Sequence, residues 1–102
     1  MTGQPDGDNP IMARLAARFR ARCLEDAAFL RRWHRGEAPD GEARSRLHKL
    51  AGAGGSFGFA QVSEKAAALE EVLACGGEPD PATIDILLDL LTSIGAETPA
   101  GE

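Results

Sequence analysis

The sequence predicts an all-α protein, folded as an antiparallel up-down four-helix bundle. Three observations predict it. Apolar residues recur at spacings of three and four through most of the chain, and no stretch shows the period of two that marks a strand. Short glycine- and proline-rich segments cut that pattern into helix-sized pieces. The chain has 102 residues, 43% of them hydrophobic, which suits one small domain with a single modest core.

The elements follow in order. Residues 1–9 are rich in Gly, Asp, Asn and Pro and read as a flexible tail, ahead of a bundle over 10–95. Asn9-Pro10 is an N-cap followed by proline at the first helical position. From Ile11 to Trp33 helix formers dominate, and Ile11, Leu15, Phe19, Cys23, Ala27 and Leu30 share one apolar stripe. Glu25-Asp26 offers a break into two helices, with Asp26 as an internal cap. Residues 36–41 form a loop that Gly36 opens. A second helix starts near Asp40 and turns Ala43, Leu47, Leu50, Gly54 and Phe57 inward until Gly58 closes it. The third, from about Ala60 to Cys75, buries Val62, Ala66, Leu69 and Leu73, and Gly76-Gly77 ends it. Asp80-Pro81 caps and starts the fourth, whose Ile84, Leu87, Leu88, Leu91 and Ile94 make the strongest stripe. Gly95 ends that helix, and residues 96–102 form a second flexible tail.

Composition removes several functions. No apolar run approaches the ~20 residues that span a bilayer, and the polar, acidic N-terminus is no secretory signal. A cytoplasmic, monomeric, freestanding protein is expected. Cys23 and Cys75 lie far apart, without a CxxC pair, and read as free thiols. With only His34 and His48 beside them, no metal is expected. A metal-binding bundle would need a Glu-x-x-His motif, which is missing. No phosphate-binding glycine loop is present, so no nucleotide cofactor is expected either. The acidic net charge of -5 and the 5% aromatic content disfavour nucleic acid. Arg14, Arg18, Arg20 and Arg22 read as a solvated face, and His34 as a favourable charge at a helix C-terminus.

The second helix contains the anomaly. Gly52, Gly54 and Gly55 stand within four positions of it, and each interior glycine costs about 0.8–1.0 kcal/mol relative to alanine. Such residues either admit a neighbouring helix or strip a face so that another molecule can approach. Helical phase divides them. Gly54 falls on the inward stripe and serves close packing. Ala51, Gly52 and Gly55 lie three, four and seven residues beyond His48 and share its face. A lone imidazole then stands at the edge of the core on a bare surface, which suits covalent chemistry on the ring. Neutral imidazole has one nitrogen free to attack and one N–H that needs an acceptor. If helices two and three form a hairpin about Gly58, Glu70 faces His48, each following a core leucine by one residue. A one-turn slip is the alternative register.

The run from His48 to Phe59 (HKLAGAGGSFGF) resembles the histidine-containing phosphotransfer (HPt) domain, whose second helix carries H-x-[LI]-K-G and, after five intervening residues, a further glycine. His48, Leu50, Gly52 and Gly58 fit that spacing. The GSFGF ending is similar to the phosphoacceptor domain of chemotaxis-type histidine kinases, and Leu69-Glu70 fits the helix that follows. The resemblance implies a phosphorelay intermediate of two-component signalling. His48 would take a phosphoryl group and exchange it with the aspartate of a response-regulator receiver domain, and a histidine kinase is the other implied partner. It implies a phosphocarrier rather than an enzyme, since the chain has no ATP site of its own. Glu70 would hold the imidazole, and Gly52 and Gly55 would let the partner's loops approach.

One departure stands out. The family usually has lysine three residues after the histidine, where this chain has Ala51. Lys49 lies at a different angle. Arg44, four residues before His48, could supply the charge instead. The departure also admits a second class of function, a non-catalytic adaptor that binds a receiver or kinase without phosphotransfer. Charge is divided unevenly as well. Residues 10–50 hold ten Arg/Lys against five Asp/Glu, and residues 51–102 one Lys against nine. Arg44, Arg46 and Lys49 read either as a solvated face or as a basic docking rim around His48, one that would speed encounter with an acidic receiver pocket.

Overall fold

The structure, a computed structural model, describes residues 10–97. The expected tail at 1–9, the proposed Asn9 cap and residues 98–102 of the second expected tail lie outside them, while Ala96, the first residue of that tail, belongs to α4. Four helices follow one another: α1 (Pro10–His34), α2 (Asp40–Ser56), α3 (Ala60–Ala74) and α4 (Pro81–Ala96). Each helix packs on its neighbours in the chain, and α1 closes the ring on α4, while neither diagonal pair brings its backbones as close. With connections of three to six residues, that ring is the up-down bundle the stripes require.

Local signals set the helix ends. The Asp80 carboxylate accepts the Ala82 N–H at 3.3 Å, with Pro81 in the first turn. After α2, Gly58 takes φ +84°, and the Phe59 N–H reaches back to the Gly54 carbonyl at 2.7 Å. This left-handed cap satisfies carbonyls that the helix end leaves open. It also reverses the chain within a few residues, which brings α3 alongside α2. α1 and α3 end in the same way at Gly36 and Gly76.

The core contains most of the predicted residues, with Leu73 only partly buried against it. Phe19, Cys23, Ala27 and Leu30 of α1 meet Ala43, Leu47 and Leu50 of α2, Val62, Ala66 and Leu69 of α3, and the five expected residues of α4. Phe57 and Phe59, half-buried, stack on Phe19 at 5.1 and 5.5 Å between ring centroids. No helix among the described residues is long and apolar enough to cross a membrane.

Three expectations change. The break offered at Glu25-Asp26 is not made, and α1 runs unbroken for 25 residues. Asp26 is no cap. Its carboxylate is fully buried and held by Arg46 Nη1 at 2.8 Å and Arg22 Nε at 3.4 Å, so the helix gains nothing by breaking there. Ile11 and Leu15 belong to the α1 stripe by phase but are exposed, because α1 is longer than the 15 to 17 residues of the other helices. Gly95 does not stop α4, which continues to Ala96. A Cβ there would collide with the Leu24 side chain and lie 3.1 Å from the Arg20 carbonyl oxygen, so this glycine lets α4 close on α1.

Candidate functional site

His48 and Glu70 meet as the hairpin phase requires. Both side chains follow a fully buried leucine, Leu47 or Leu69, and so stand at the rim of the α2–α3 seam. The imidazole is three-quarters exposed, and its Nδ1 lies 3.1 and 3.2 Å from the two Glu70 carboxylate oxygens. Glu70 is the more enclosed partner at 24%. An ionised carboxylate only accepts, so the hydrogen on this bond belongs to Nδ1. In a neutral ring that assignment leaves Nε2 as the bare nitrogen, on a side chain that is largely exposed. The one-turn slip is not taken.

The three α2 glycines divide as their phases predict. A Cβ on Gly54 would lie 3.1 Å from the Ser63 backbone nitrogen, 3.2 Å from Val62 Cγ1 and 3.3 Å from the Phe59 carbonyl oxygen. The absence of a side chain there lets α3 approach α2. A Cβ on Gly52 would meet nothing within 4 Å, and one on Gly55 only the Ser63 hydroxyl at 3.6 Å. Those two leave an open surface one and two turns beyond His48. Ala51 turns partly inward against the core.

Ser63 escaped the sequence reading. Its hydroxyl donates to the Ala51 carbonyl at 2.8 Å and pins α3 to α2 one turn from His48. The usable signal was its place beside Val62, opposite the small residues of α2.

The basic residues separate. Arg44 and Lys49 line a shallow hollow of about 380 Å³ together with Gly41, Ser45, His48 and Glu70. Arg46 is not part of it. Two residues before His48, it points away around the helix toward α1. It bonds Asp26 at 2.8 Å and Glu42 at 2.9 Å, and stacks over the Phe29 ring at 4.4 Å. These partners, the Asp26 carboxylate foremost, hold the guanidinium even more firmly protonated than usual. Its place in a rim around His48 is therefore corrected: Arg46 neutralises a buried acid. His34, at the end of α1, is exposed, with Nε2 3.8 Å from Asp85. The thiols differ sharply. Cys75 is exposed, whereas Cys23 is fully buried and its pKa is pushed up to about 11, by burial first and the Asp26 charge second.

No curated protein and no solved structure matches the chain. A family model described as the Hpt domain matches residues 14–97, a span that reaches into all four helices and includes His48 and Glu70. The chain therefore belongs to the Hpt domain family, whose role is of the phosphotransfer type in two-component signalling.

Proposed function

We propose that the protein is a phosphorelay intermediate in which His48 accepts a phosphoryl group and exchanges it with the aspartate of a receiver domain. The observation that carries this reading is the hydrogen bond from His48 Nδ1 to Glu70 on an otherwise exposed ring. In the step itself, the Nε2 lone pair attacks the phosphorus of an aspartyl phosphate. The N–P bond forms as the P–O bond to the aspartate breaks, and that electron pair leaves on the carboxylate. The ring becomes cationic, its Nδ1 proton stays in place, and the Glu70 carboxylate offsets the new charge. Transfer in the other direction retraces the step. Gly52 and Gly55 leave room for the loops that carry the aspartate, and Arg44 and Lys49 offer positive charge to an acidic partner. A kinase or a phosphorylated receiver supplies the group, and the chain acts as carrier.

Incubation with a phosphorylated receiver, or with a histidine kinase and ATP, should yield an acid-labile, base-stable phosphoprotein. His48→Gln should carry no label, and equal labelling of that variant overturns the reading. Ala51, where the family usually has lysine, favours the adaptor as second reading. The adaptor predicts partner binding that is unchanged in His48→Ala, with no label transferred by the wild type.

A further inference from the structure

A phosphoryl group on Nε2 would bring about two negative charges to the hollow. The Glu70 carboxylate is already there. Glu70 is needed to hold Nδ1, yet it repels the incoming group. A cation in the same hollow resolves the conflict, and α2 carries three cations within five residues of His48.

Arg46 is committed to Asp26 and Glu42. Lys49 lines the hollow, but it equally lines a second one between α1 and α2, beside Arg18 and Arg22. Arg44 lines the hollow of His48, and it makes no ion pair among the described residues. The acids that could draw it away are engaged elsewhere. Asp40, one turn earlier, accepts the Trp33 indole N–H at 2.8 Å. Glu42 holds Arg46, and Glu70 holds His48. Helical side chains lean toward the N-terminus, which brings the His48 ring back over the turn of Arg44 and Ser45. Gly41 keeps that end open, since a Cβ there would meet nothing within 4 Å. Position 51, on the other side of the ring, carries only a methyl group.

We infer that Arg44 binds the phosphoryl oxygens on His48, its planar fork donating two N–H groups to them. This assignment rests on His48 as phosphoacceptor. It makes Arg44 a phosphoryl-binding residue rather than part of a diffuse docking rim. Lys49 adds charge at the margin.

A small phosphoryl donor separates the two roles because it requires no docking. With phosphoramidate and the full chain, Arg44→Gln should label His48 about tenfold more slowly than wild type, the scale of one lost charge-assisted bond at an exposed site. Arg44→Lys should recover part of the rate, since it keeps the charge and loses the fork. Lys49→Gln should lose less than Arg44→Gln. Thermal melting should be unchanged in Arg44→Gln, so that slower labelling does not reflect unfolding. Wild-type labelling with an equal rate for Arg44→Gln overturns the inference alone. So does slowing seen only with a phosphorylated receiver as donor, which would make Arg44 a docking residue. A wild type that no donor labels overturns the His48 reading, and this inference with it.

Discussion

α2 carries two side chains, two residues apart, that each hold a carboxylate of a neighbouring helix, and their settings are opposite. Arg46 reaches α1 and meets Asp26, whose side chain has no solvent exposure. His48 reaches α3 and meets Glu70 with its own ring three-quarters in water. Burial makes the first pair a condition of folding, because an unpaired interior carboxylate is costly. Exposure makes the second nearly irrelevant to stability and leaves the ring available for chemistry. One helix thus turns a structural face to α1 and an exposed imidazole edge to solvent.

The sharpest way to break this contrast is to cut each pair and compare. Arg46→Met should destabilise the fold by about 3 kcal/mol, the lower end for leaving one buried partner uncompensated, because Arg22 still reaches Asp26. Glu70→Gln should change stability by less than about 0.5 kcal/mol and, on the proposed function, should slow phosphorylation of His48. Urea denaturation of both variants beside a labelling assay checks the pair. Equal stability losses would remove the distinction.

The second effect belongs to the buried side. The Cys23 pKa is raised from the ordinary 9.0 to about 11 in the folded protein, so between those values the unfolded chain loses the proton and the folded chain keeps it. Stability from this group is whole below pH 9 and is lost as pH rises toward 11, on the order of 2 kcal/mol. Denaturation midpoints of wild type and Cys23→Ala across that range should converge. At neutral pH a thiol reagent should modify Cys75 and spare Cys23 in the folded protein.

The glycines give the same contrast in a smaller measure. Gly54→Ala should destabilise by about 1–3 kcal/mol, because its Cβ presses on the Ser63 and Phe59 backbone, which cannot swing aside. Gly52→Ala meets open space and should stabilise the helix by up to about 1 kcal/mol. On the proposed function, that second variant should also slow exchange with a receiver, since the added methyl stands on the approach surface. A stability gain without slower transfer would leave Gly52 without a role in access.

Most of this was legible in the sequence, and the reason is local geometry. Helix spans, the Asp80 cap, the Gly58 turn and the split between Gly54 and its neighbours follow from a fixed period and from which residues tolerate φ above zero. The meeting of His48 and Glu70 was legible because a tight hairpin about Gly58 carries the phase of α2 into α3 with few alternatives. What depended on non-adjacent helices was not. Asp26 read as a cap because its side chain commonly caps helices, and the approach of Arg46, twenty residues away, adds the closer of the two cations that make its burial tolerable. Arg46 read as a solvated charge or part of a rim because its charge was visible and its partner was not. Gly95 read as a stop because nothing near it in the chain shows that Leu24 and Arg20 press against it. The sequence by itself determined the helices, their order and the histidine that shares a face with the bare glycines of α2, through interactions spanning a few residues. Tertiary structure alone decided which charges are consumed in holding helices together, and so which remain for a partner, because burial is a property of the assembled helices and not of any one of them.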